Sequence, residues 1–164
     1  MTLKELRSIL PQKGKVEWIG IRPEKRAELG SVSNVQVDLQ NGLVGDHYGK
    51  AEGKRQVTLI QAEHLQTVSN ILGKADIDPG LTRRNIVVSG INLLAFKDQQ
   101  FQIGDVVLEM TGICHPCSRM EENLGPGGYN AMRGHGGITA KVVQEGTIRV
   151  GDAVGLLVPE RSPK

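Results

Sequence analysis

The sequence predicts a mainly β fold of the α+β class: a closed or partly closed barrel of short strands with a few short helices. Two observations and one physical constraint predict it. Twenty-one glycines and seven prolines in 164 residues require frequent turns, which favour short strands over long helices. Short β-branched runs recur along the chain, and the clearest alternates as Val35, Val37 and Leu39. Closing a sheet on itself then buries many short strands without leaving edges.

At the N-terminus, Thr2 to Glu5 has the form of a capping box and Pro11 breaks the run, so residues 3–10 read as a short helix. Lys15 to Ile21 reads as a strand, and Val35 to Leu39 as a second, with a turn at Asn41-Gly42. Gly45 to Lys50 is a polar loop. Gln56 to Ile60 is a strand. Gln61 to Leu72 carries apolar residues at helical spacing, and Gly73 ends it. Asp78-Pro79-Gly80 is a turn before the run Ile86 to Val88. Gly104-Asp105 and Gly151-Asp152 form a weak echo, each placing a turn dipeptide before an apolar strand. Val106 to Met110, Ile138 to Val143, Thr147 to Val150 and Val154 to Val158 complete the strands. Glu145-Gly146 is expected to turn a hairpin.

No linker or composition shift divides residues 1–164, so one domain is expected, with a core over about 15–158 and a loose tail at 159–164. A net charge of +2 and 3% aromatic residues argue against a nucleic-acid face. No apolar run approaches the ~20 residues that span a bilayer. The N-terminus lacks the apolar core of a signal peptide, so no membrane and a cytoplasmic location are expected. In that compartment a two-cysteine motif is more often chemical than a staple.

Thr111 to Asp152 holds both cysteines, Cys114 and Cys117, two of the four histidines, His115 and His135, and a dense set of glycines. Cys117 precedes Ser118-Arg-Met-Glu121, a second capping-box pattern, so Ser118 is expected as N-cap of a helix running to about Leu124. A helix start favours a thiolate at Cys117, and Arg119 adds to that. Pro116 fixes the approach of the chain. The neighbours of Cys117 are Pro, Ser, Arg and Glu, which are poor companions for a merely buried cysteine.

Cys114-His115-Pro116-Cys117 also admits a zinc site with His135, but there is no second CxxC. It admits a dithiol redox site, but the chain lacks the strand–helix alternation of thioredoxin-like folds. Gly125 to Gly128 and Arg133 to Gly137 match no phosphate fingerprint and read as turns. Lys54-Arg55 and Arg83-Arg84, taken singly, read as solvated surface, and Asn85 as a turn cap. His47 reads as exposed and His64 as surface or partly packed. No Ser-His-Asp signature or carboxylate pair is present.

Together these segments resemble the MOSC domain, the module found at the C-terminus of molybdenum-cofactor sulfurases and as small stand-alone bacterial proteins. The matching segments are Gly42 to Asp46, Arg55 to Leu59, Arg84 to Gly90, Ile103 to Val106, Pro116 to Arg119, and Gly137 to Asp152. The resemblance implies a barrel of MOSC type and makes Cys117 the family's characteristic cysteine. It implies a molybdenum cofactor, with Cys117 as molybdenum ligand in the reduction of N-hydroxylated or similar small-molecule substrates by a separate electron-donor protein. The alternative it implies is a sulfur carrier with a persulfide on Cys117, served by a separate cysteine desulfurase. No pyridoxal phosphate of the chain's own is expected. A non-enzymatic thiol or zinc-binding module is a third reading. Arg55, Arg84 and Arg119 become candidates for the cofactor's phosphate, with Asn85 as a polar contact. Cys114, His115 and His135 are accessory candidates. The family often has Gly-Glu-Asn where this chain has Arg83-Arg84-Asn85, and Cys114 is an additional thiol.

Overall fold

The structure, a computed structural model, describes residues 1–47 and 53–157. The end of the expected loop at Gly45 to Lys50 and the expected loose tail lie outside the described residues. The strands are β1 (Gly14–Ile21), β2 (Gly30–Ser31), β3 (Asn34–Asp38), β4 (Gly42–Leu43), β5 (Val57–Gln61), β6 (Ile86–Ser89), β7 (Gln100–Ile103), β8 (Val106–Ile113), β9 (Ile138–Gln144), β10 (Gly146–Arg149) and β11 (Ala153–Leu156). The α-helices are α1 (Leu3–Arg7), α2 (Ala62–Leu72), α3 (Ser118–Leu124) and α4 (Gly128–Met132). Short 3-10 turns span Pro79–Thr82 and Leu93–Phe96.

Seven strands close a mixed barrel in the order β1-β11-β7-β8-β9-β5-β6 and back to β1, with β2 hung on the end of β1. Among the described residues only β5 and β6 run parallel within it. A parallel pair needs a crossover, and α2 supplies it. That single strand–helix–strand unit was not legible in the sequence. A three-stranded sheet, β10-β3-β4, sits beside the barrel.

The alternation of β5 and β6 explains where the helices go. Val57, Leu59, Ile86 and Val88 point into the barrel core. Ile60 and Val87 point outward and join a second apolar cluster with Leu65 and Val68 of α2, Met120 and Leu124 of α3, and Ala131 and Met132 of α4. Strands buried on both faces are what a parallel pair under helices requires.

Several local expectations are corrected. The first capping box forms, but α1 ends at Arg7 rather than residue 10 and buries nothing. Glu145-Gly146 turns no hairpin. After it the chain leaves the barrel, and β10 pairs with β3 in the side sheet. At the second capping box, the N-cap is Cys117 rather than Ser118, and no side chain caps the helix. Glu121 reaches forward instead, accepting from the amides of Gly127 at 3.0 Å and Tyr129 at 3.1 Å. Those two donors hold its carboxyl below the usual range. The carboxylate thus serves the start of α4, where the unpaired amides of a second helix N-terminus lie. That helix, α4, begins at Gly128, the last residue of the first glycine segment expected as a turn, and ends at Met132, before the second segment at Arg133 to Gly137.

Candidate functional site

A cavity of about 660 Å³ opens beside the outward face of β5, beneath the start of α3. Its wall includes Thr58, which shares that face with Ile60, and Met120 of the helical cluster. It also includes Arg22, Lys54, Arg55, Arg83, Arg84 and Arg119, together with Cys114 and Cys117. Among the described residues six cationic side chains line it, and no carboxylate does.

Each charge arrives on a strand or helix terminus. Arg22 follows β1 and is buried against Asp46, whose carboxylate accepts from Arg22 Nε at 3.3 Å and from the Arg22 amide at 2.7 Å. Lys54 and Arg55 precede β5, and both are exposed. The hydroxyl of Thr111 on β8 donates to the Lys54 carbonyl and so ties that segment to the barrel. Arg83 and Arg84 precede β6. Arg83 takes the left-handed conformation, φ 60°, at the end of the 3-10 turn, an uncommon one for a side chain of its size. Arg119 lies in the first turn of α3, half-buried.

Arg84 is the organising side chain. It is 4% exposed. Its Nε donates to the Gly136 carbonyl at 2.8 Å and Nη1 to the Thr82 carbonyl at 2.9 Å. Its Nη2 donates to the carbonyls of Cys114 at 3.2 Å and His115 at 3.4 Å. Four of a guanidinium's five donors are thereby spent on backbone. Burial lowers its pKa, with the Cys114 sulfur opposing and Arg55 adding to the effect. Gly136 is required here, because a Cβ would collide with the Cys114 carbonyl and press on Arg84.

Asn85 stands apart from the cavity. Its Oδ1 accepts from the Thr58 amide and hydroxyl, and its Nδ2 donates to the Gly20 carbonyl. It ties β1, β5 and β6 together and is 1% exposed.

The two cysteines differ sharply. Cys117 is exposed at the head of α3. Cys114 is buried where β8 ends, its amide donating to the Gly137 carbonyl and its sulfur accepting from Arg55 Nη2 at 3.6 Å. His115 between them is exposed and does not line the cavity. His135 is also off the wall: its ring meets His64 edge to face, centroids 5.4 Å apart, and its Nδ1 lies 3.1 Å from the Ala131 carbonyl. Among the described residues no three His, Cys, Asp or Glu side chains gather as a metal site would need, so the zinc ligand set does not assemble. His47 is exposed.

A soft sulfur beside a wall whose described residues carry cations and no carboxylate suits an anionic ligand that also carries a thiophilic centre. Sequence reasoning brought Arg55, Arg84, Arg119 and both cysteines to this wall. It missed Arg22, and it read Lys54 and Arg83 only as surface. Pairing of the two basic doublets, Lys54-Arg55 and Arg83-Arg84, each just before a β-branched run, was the available signal. Among the described residues no helix is long and apolar enough to cross a membrane.

Residues 35–155 match the family model of the MOSC domain. The fold is similar to that of the YuaD protein from Bacillus subtilis, at 20% identity and a TM-score of 0.77, covering 90% of this chain and 98% of that one. It is also similar to YiiM from Geobacillus stearothermophilus, at 18% identity and a TM-score of 0.70 over 88% and 75% of the two chains. YiiM from Escherichia coli matches at 13% identity and a TM-score of 0.66, over 90% and 72%. Comparison with curated proteins gives no match.

Proposed function

The chain belongs to the MOSC domain family, and on that premise we propose that it binds a molybdenum cofactor with Cys117 as the protein ligand to the metal and reduces a small N-hydroxylated or similar substrate. The observation that carries this reading is an exposed thiol on the rim of a cavity lined by six cations and no carboxylate among the described residues. The residues present fit the group. A thiolate suits a soft metal centre, guanidinium and ammonium groups suit a phosphate, and the cavity lies within the ~300–1,000 Å³ of small-molecule sites.

Lys54, Arg55 and Arg119 would hold the phosphate, since their charged groups are the least committed to backbone. Arg84 contributes charge and one remaining N–H while it shapes the wall. Asn85 keeps β5 and β6 in place and touches no ligand. When bound, the cofactor supplies two-electron redox chemistry, and a separate electron-donor protein must supply the electrons. Cys117 presents its sulfur from the start of α3.

The exposure of Cys117 favours a second reading, a sulfur carrier that accepts sulfane sulfur from a separate cysteine desulfurase. Elemental and sulfane analysis of the purified protein separates the two. Molybdenum dependent on Cys117 supports the first. Cyanide-releasable sulfur on Cys117 without molybdenum selects the second, and bound zinc in place of both would sink them together.

A further inference from the structure

Neither reading uses Cys114. It is a nucleophile 1% exposed, yet it lines the same cavity as the exposed Cys117. Two residues separate them, and neither is in a disulfide. Cys114 is held on both sides: its amide donates to the Gly137 carbonyl, and its sulfur accepts from Arg55. Cys117 is held by much less, because its side chain makes no capping bond.

We propose that this wall is a dithiol–disulfide exchange site for small anionic disulfides bearing carboxylates. The cationic lining gathers such a reagent at the rim, where Cys117 meets it first. The Cys117 sulfur attacks one sulfur of the reagent. The reagent's S–S bond breaks, one half leaves as a thiolate, and the Cys117 proton goes to solvent. The Cys114 sulfur then attacks Cys117 in the mixed disulfide. A Cys114–Cys117 bond forms, the second half leaves as a thiolate, and the Cys114 proton goes to solvent in turn. Two protein thiols are oxidised and one small disulfide is reduced to two thiols. In this scheme, disulfide formation requires the Cys117 end of the segment to come within the about 7 Å between Cα atoms that a disulfide allows of the buried Cys114. The oxidised form withholds Cys117 from any metal.

The test uses the full chain, free of metal, with oxidised glutathione as the probe and intact mass as the readout. The wild type is expected to lose two hydrogens and keep no glutathione. Cys114→Ser is expected to hold one glutathione on Cys117, and Cys117→Ser to hold none. The charge-reversed probe cystamine is expected to react about tenfold more slowly at low salt, with the gap closing at high salt. A wild-type protein that retains glutathione on Cys117 overturns the proposal without any variant. Equal rates with the two probes overturn its anionic specificity. No molybdenum enters the experiment, so its outcome is independent of the cofactor reading.

Discussion

Arg22 Nε lies 3.3 Å from Asp46 Oδ1, with the two side chains 8% and 1% exposed. This buried pair joins the end of β1 to the segment after β4 and sets one cationic wall of the cavity. Removing one partner of such a pair costs far more than the pair itself contributes. Asp46→Ala is therefore expected to lose about 3–5 kcal/mol of stability in urea unfolding. Replacing both residues by apolar side chains of similar volume should recover part of that loss. A single variant as stable as the parent would show that the pair carries no structural weight.

Arg84 and Arg119 line one cavity but are expected to behave oppositely. Arg84→Gln leaves buried carbonyls of Gly136, Thr82 and Cys114 without their donors, and should cost about 3 kcal/mol or more. Arg119→Gln should leave stability within ~0.5 kcal/mol while weakening retention of an anionic ligand. Thermal unfolding with and without inorganic phosphate checks both. Equal destabilisation by the two substitutions would contradict the division of roles.

The barrel was legible because its strands are short, β-branched and punctuated by glycine. The features that were not legible depended on long-range contact. The parallel pairing of β5 with β6 leaves no local trace, since Ile60 and Val87 look like any other apolar residues until the helices cover them. Glu121 stands three residues after Ser118, as a capping box requires, yet the amides of Gly127 and Tyr129 compete for it and win. The helix start at Cys117 was legible from its own neighbours. The role of Arg84 was hidden, because a basic doublet reads as surface and only burial against three loops makes it a scaffold.

His64 on α2 is partly buried and faces His135, and burial first, then the positive charge of that neighbour, lowers its pKa. Glu63 beside it opposes the shift. The unfolded chain therefore takes up a proton near pH 6.5 that the folded chain resists. Stability should be full above about pH 6.5 and decline as the pH falls below it. Urea midpoints measured across that range should drop toward acid in the parent, with the histidine-dependent part of the drop reduced in His64→Gln. An unchanged slope in the variant would assign the acid sensitivity elsewhere.

Cys117 is the proposed anchor of a metal-bearing cofactor, and molybdenum stoichiometry tests that most directly. Protein purified from cells able to make the cofactor should carry molybdenum at close to one atom per chain. Cys117→Ala, folded to the same unfolding midpoint, should carry almost none. Equal molybdenum in the parent and the folded variant would contradict the claim.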